Sequence, residues 1–320
     1  KSHEGIFLKG RLNLAKREFN EAIDLFQSYL KDNPKSFMVH HFLGLAHLGN
    51  RDIQQGKTAL AEAVKLNPNW IEGRLLLADI HLRTGALDLA IEEAQEILKR
   101  DPKSIQGHLI LGNVYLLKRD IPKASKSFEE VIQIAPNNPV GYYQKGRIFL
   151  VQKREKEALA QFEKALSIQP NFLEALNLIA VVYMNQKENK KALERVEAQI
   201  KASPQNPFFY NMLGRLYEVN KEAGQAETNY KKAIELNPNV AGFHTSLASF
   251  YIRLNLTEKA IEEYNAALQK APESLSALMG LGIIYDTQKK YEKAKEYYQK
   301  ALKINPKFAP AANNLAYLYA

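Results

Sequence analysis

Apolar residues recur along this chain at helical spacing, in paired stripes separated by short polar turns. The stretch Leu275–Phe308 shows the pattern in full. Leu278, Leu281, Gly282 and Tyr285 fall at i, i+3, i+4 and i+7, one face of a helix. The polar turn Gln288-Lys289-Lys290 follows, and Ala294, Tyr298, Ala301 and Leu302 then form a second stripe. Asn305-Pro306 closes that second helix, because proline has no amide to donate and pushes the residue before it out of the α region.

Everything upstream is a looser copy of this unit. Prolines stand at 34, 68, 102, 136, 170, 204, 238, 272 and 306, an unbroken period of 34 residues. Positions are counted from the third residue after each of these prolines. Position 20 is alanine in eight repeats (Ala158 and Ala260 among them) and Gly56 in the other, and position 8 alternates between glycine and alanine. Such small residues let two helices touch closely. Position 28 is aliphatic throughout, and position 24 is mostly aromatic, as in Phe26, Phe128, Tyr230 and Tyr298. A fixed period of this length marks stacked supersecondary units that bury one continuous core only together.

The pattern predicts nineteen helices and no strands. Nine helix pairs occupy 3–36, 37–70, 71–104, 105–138, 139–172, 173–206, 207–240, 241–274 and 275–308, and one further helix spans Ala309–Tyr319 of the segment 309–320. Second helices are expected near positions 17 to 18, around Ile53, Leu87 and Tyr291. The whole of 1–320 is expected to be a single array. It opens on Lys1 and closes inside a tenth repeat, which reads as a piece of a longer protein.

On these positions the chain resembles the tetratricopeptide repeat (TPR) family along its full length. The resemblance implies an all-α, right-handed superhelical solenoid of helix-turn-helix repeats, with the first helices lining a concave surface. Positions 2, 5, 9 and 12 of those helices share one face. That face changes character along the chain. It is apolar early, with Leu75, Leu82, Leu109 and Leu116, and polar later, with Asn177, Asn211, Arg215 and, at position 13, Arg253. Tyr143 and Arg147 stand at the junction. Two readings remain open. The position-12 leucines fill space between neighbouring helices, or they form an apolar groove for a partner segment whose polar groups reach the arginines and asparagines. Asn177, Asn211 and Arg215 resemble part of a clamp by which some TPR domains hold a peptide carboxylate, without its paired lysines.

Composition removes several chemistries. The chain has no cysteine, which excludes disulfides and thiolate sites. Forty-four Lys and Arg against 35 Asp and Glu give a net charge of +9, read first as a solvated outer surface. Of seven histidines, His40, His108, His244, His47 and His81 fall at positions 4 and 11, where other repeats carry bulky residues, and are expected to pack as aromatics. His41 lies on the neighbouring, open face. Trp70 is expected to pack between repeats. Gly56-Lys57-Thr58 imitates the end of a phosphate loop but lacks its first glycine, since residue 51 is Arg51. Asn255-Leu256-Thr257 is a formal glycosylation sequon, taken as incidental. Paired carboxylates such as Glu262-Glu263 are assigned to outer, solvated faces.

The expected function is a non-enzymatic scaffold that binds a protein or peptide on its concave face. No cofactor, metal, nucleic acid or membrane insertion is expected, and homo-oligomerisation is left open. The closing NNLAYLYA resembles bacterial TPR proteins of envelope and exopolysaccharide assembly, which implies a periplasmic or envelope setting, with a cytoplasmic one as the alternative. The asparagines of the inner face also resemble the TPR arm of O-GlcNAc transferases. The alternative function is therefore the recognition arm of a larger glycosyltransferase.

Overall fold

A computed structural model of the protein describes residues 3–319. It contains two compact units, Lys1–Lys164 and Ala165–Ala320. The first holds α1 (His3–Ala15), α2 (Phe19–Asp32), α3 (Phe37–Gly49), α4 (Ile53–Leu66), α5 (Ile71–Arg83), α6 (Leu87–Arg100), α7 (Ile105–Leu117), α8 (Ile121–Ile134) and α9 (Pro139–Val151). The helix α10 (Glu155–Ile168) contains residue 164, where the first unit ends. The second holds α11 (Leu173–Asn185), α12 (Asn189–Ala202), α13 (Pro207–Val219), α14 (Ala223–Leu236), α15 (Ala241–Arg253), α16 (Thr257–Lys270), α17 (Leu275–Thr287), α18 (Tyr291–Ile304) and α19 (Ala309–Tyr319). No strand occurs among the described residues. Helix starts at Ile53, Leu87, Tyr291 and Ala309 fall where the polar turns place them.

In several repeats the two helices meet through a ring laid on bare backbone. A Cβ at Gly112 would run into the Phe128 ring, one at Gly146 into Phe162, and one at Gly282 into Tyr298. Those three rings are buried, as are Ala124, Ala158 and Ala294 beside them. Each buried ring stabilises the repeat by about 2 kcal/mol. The second helix of one repeat then packs on the first helix of the next: α2 on α3 and α6 on α7 in the first unit, α12 on α13 and α16 on α17 in the second. Asn13, polar at the aromatic position 11, is also buried.

The turn between the helices of a repeat has one form throughout. At its centre, position 15, the backbone is left-handed. Arg17, Arg51, Arg119, Lys153, Lys187, Lys221, Asn255 and Lys289 have φ between 58° and 64°, and Gly85 has φ 78°. The geometry is a Schellman closure: Arg51 N–H reaches Leu48 O at 3.0 Å and Asp52 N–H reaches His47 O at 2.9 Å. Glycine adopts this conformation freely. A lysine or arginine there costs about 1 kcal/mol through the contact of its Cβ with the carbonyl.

Consecutive repeats are joined by a side chain at position 4. His40 Nε2 donates to Pro34 O at 2.8 Å, Arg74 Nε to Pro68 O at 2.9 Å, His108 Nε2 to Pro102 O at 3.0 Å and Tyr210 Oη to Pro204 O at 3.1 Å. Where position 4 is Leu176, Gln199 Nε2 from α12 supplies the bond to Pro170 O at 2.6 Å. This corrects the reading of these histidines as packing aromatics. They are chosen for a polar reach, because the grid proline leaves a carbonyl that the ended helix does not bond. His244 extends the motif, with Nδ1 2.6 Å from Glu263 Oε2. Glu263 is therefore a paired group, not a solvated one. Arg74 and Glu93 occupy the same two positions and form an ion pair at 2.5 Å. No described helix is long and apolar enough to cross a membrane.

Candidate functional site

In the first unit the leucines on the early face of the first helices are half-buried. Leu109 and Leu116 pack one side against Ala124, Phe128 and Ile148. Leu48 and Leu76 pack around Leu60, Val64, Leu77 and Ile80. Leu75 and Leu82 are half-buried. Tyr143 lies 5.9 Å from the Phe162 ring, and the Arg147 guanidinium stands 6.0 Å over Tyr143. Arg147 Nη1 also donates to Gln144 Oε1 at 2.6 Å, one turn back on its own helix. His41 is not on an open face. Its ring lies tilted at 59° against Trp70, 4.4 Å between centroids, and burial lowers its pKa against the opposing charge of Glu72. Trp70 also meets Phe37 edge-on at 5.0 Å, as a packing residue should. A cleft of about 460 Å³ in this unit lies among Leu48, Arg51, Ile53, Leu76, Asp79 and Arg83, with Leu48 at position 12 and Asp79 at position 9 of the same helix face.

In the second unit the same helix face opens. Helices α11, α13 and α15 lay side by side a cleft of about 510 Å³ whose walls include Asn177, Met184, Met212, Arg215, Glu218 and Arg253. A hollow of about 250 Å³ adjoins it and adds Asn211, sharing Asn177, Met212 and Arg215. The structure therefore brings together all four predicted residues of this unit. Their roles differ. Arg253 Nη2 donates to Glu218 Oε2 at 2.8 Å, and Tyr230 Oη donates to the same oxygen at 2.9 Å. Burial, then this hydrogen bond to a carboxylate, push the Tyr230 phenol well above its ordinary pKa. The bond to Glu218 likewise raises the pKa of Arg253. Arg215 is exposed and has no ion-pair partner among the described residues. Asn211 Oδ1 is buried and unpartnered. The far wall carries hydroxyls from Thr245, Ser246, Ser249 and Ser276.

Glu218 and Tyr230 were absent from the sequence-derived site. A signal for the first existed: Glu218 and Arg253 are 35 residues apart, one period plus one, so they face each other on neighbouring first helices. A related pair supports α13 from behind, where Tyr217 Oη donates to Glu197 at 2.5 Å. That bond, helped by burial, pushes the phenol up to about 12. Among the described residues no group of three or more His, Asp or Glu side chains converges to hold a metal ion.

Comparison with known proteins agrees with this architecture. Tetratricopeptide repeat models match residues 43–105, 75–139 and 211–274, 149–216, and 276–308. No curated protein matches the chain in sequence. Among solved structures, the yeast Tom70 is similar over 99% of this chain and 80% of its own, at 14% identity and a TM-score of 0.52. The APC/C hetero-tetramer Cut9–Hcn1 matches over 98% of this chain and 76% of its own, at 13% identity and a TM-score of 0.48. At such identities the likeness concerns the fold alone. With its 34-residue period, its paired helices and these matches, the chain belongs to the tetratricopeptide repeat family.

Proposed function

We propose that this protein is a non-enzymatic scaffold that holds a segment of a partner protein in the cleft of its second unit. The observation that carries the reading is the grouping of Asn177, Asn211, Arg215 and Arg253 around one 510 Å³ cleft and its adjoining hollow. The apolar floor of Met184, Met212 and Leu216 accepts side chains, while amides and hydroxyls pair with an extended backbone. Arg253 is already engaged by Glu218, so Arg215 is the cation left to receive an acidic group. The leucines of the first unit contribute less than their sequence suggests.

The test is a display of extended peptides against the whole chain. Selected peptides should carry an acidic residue beside apolar ones, and Arg215→Glu should weaken them by about tenfold or more. Arg147→Glu should change little. Peptides that bind both variants equally would move the site out of the cleft. The finer setting, a bacterial scaffold of envelope or exopolysaccharide assembly, rests on NNLAYLYA alone, and cell fractionation tests it. The alternative recognition arm rests on Asn177, Asn211 and Asn313, and the gene sequence beyond Ala320 tests it.

A further inference from the structure

The turn edge of the repeats carries a charge pattern that folding does not require. Seven of the nine left-handed turn positions hold Lys or Arg. Gly85 shows that the fold accepts glycine there, and a Cβ at Gly85 would meet nothing within 4 Å. The cations are therefore kept against backbone preference and not for packing. All seven are exposed. Arg17, Arg119, Lys153, Lys187, Lys221 and Lys289 form no ion pair among the described residues.

Helix packing aligns them within each unit. First helices lie side by side, α1 with α3 and α5 with α7 in the first unit, α11 with α13, α13 with α15 and α15 with α17 in the second. Their C-terminal turns accordingly share an edge. Some neighbouring carboxylates are paired with other cations: Asp120 with the Lys123 ammonium and Glu188 with Lys191, whereas Asp52, capped by the Gln55 N–H, keeps its charge beside Arg51. Glu18 and Glu222 remain beside Arg17 and Lys221 and dilute the field there. Two residues before the cation, at the end of the first helix, stand exposed apolar side chains: Leu117 at 62%, Val151 at 58% and Val219 at 52%.

We propose that the turn edge of each unit docks on an anionic lipid surface. Unpaired cations beside exposed aliphatic residues suit a headgroup layer, which takes the charges at its phosphates and the apolar tips at the acyl boundary. Nucleic acid would use the cations but leave Leu117, Val151 and Val219 in water, and Leu117, Val151 and Val219 offer no aromatic ring for bases to stack on. A peptide would need a groove, and of these cations only Arg51 lines one of the clefts described above.

The experiment compares sedimentation of the whole chain with vesicles of phosphatidylcholine containing phosphatidylserine and with vesicles of phosphatidylcholine alone. Wild type should bind only the former, less so as salt rises. The fourfold variant Arg119→Gly, Lys153→Gly, Lys187→Gly, Lys221→Gly should raise Tm by a few degrees, since it relieves the left-handed backbone, and should lose binding by about tenfold or more. A control with Lys65, Lys99, Lys201 and Lys303 changed to Gln removes equal charge from the opposite edge and should keep binding. Undiminished binding by the glycine variant overturns the proposal, and so does an equal loss in the control. A fall in Tm on glycine substitution overturns its premise. Capture of polyglutamate by wild type, with no vesicle binding, would assign the edge to an acidic polypeptide and overturn the lipid assignment.

Discussion

At position 12 the first unit carries Leu48, Leu82 and Leu116, while the second carries Met184, Glu218, Ile252 and Asp286. The backbone beneath is the same in both, with first helices of 13 residues and second helices of 14. In the first unit Leu109 and Leu116 turn into the core around Phe128. In the second, Glu218 and Arg253 face each other across neighbouring helices, and the space beside them stays open. One scaffold thus supports a largely apolar face in one unit and a polar one in the other, and the side chain at a few positions decides which.

The largest test of that contrast is Leu116→Asn. It puts an amide among Phe128, Ile148 and Ala124 and should cost about 2–3 kcal/mol in chemical denaturation. A wild-type midpoint would show that Leu116 does not pack into that core. The opposite exchange in the second unit, Asn211→Leu, should stabilise by about 1 kcal/mol, because it removes a buried acceptor that has no partner. A loss of stability would mean that Oδ1 is satisfied and that the hollow is structural. The smallest effect is confined to alkaline solution. The Tyr217 phenol is raised to about 12 by its bond to Glu197, so the neutral form is favoured in the folded state. Its contribution is fully present below the unfolded value of about 10 and is lost as pH rises through 12. Tyr217→Phe should flatten the stability curve in that window, and an unchanged slope would mean that the bond to Glu197 is not formed.

Much of this was legible in sequence because the period is rigid. Ile53, Leu87 and Tyr291 open helices where the turns place them, and Gly112 with Phe128 shows why positions 8 and 24 are constrained together. The site was half legible. Face membership follows from helical spacing, which correctly grouped Asn177, Asn211, Arg215 and Arg253. Depth does not follow from it, so spacing alone left open whether Leu109 and Leu116 fill space or line a groove, and both are half-buried. The histidines at position 4 were misread for a related reason. Their partner is a main-chain carbonyl, and no residue pattern names that. The left-handed turns left no trace either, since lysine and arginine are not residues from which positive φ is inferred.

The bond from position 4 to the grid proline spans only six residues, and it recurs at Pro34, Pro68, Pro102, Pro204 and Pro238. At these five prolines the joint is therefore written in the local stretch of chain that crosses it. A gene that gained or lost one whole unit of 34 codons would rebuild the same joint on either side of the change. Any other length would bring a residue of the wrong register to the carbonyl. Length in this protein is countable in whole repeats, and a new unit arrives with its connector already encoded, leaving the face positions free to diverge.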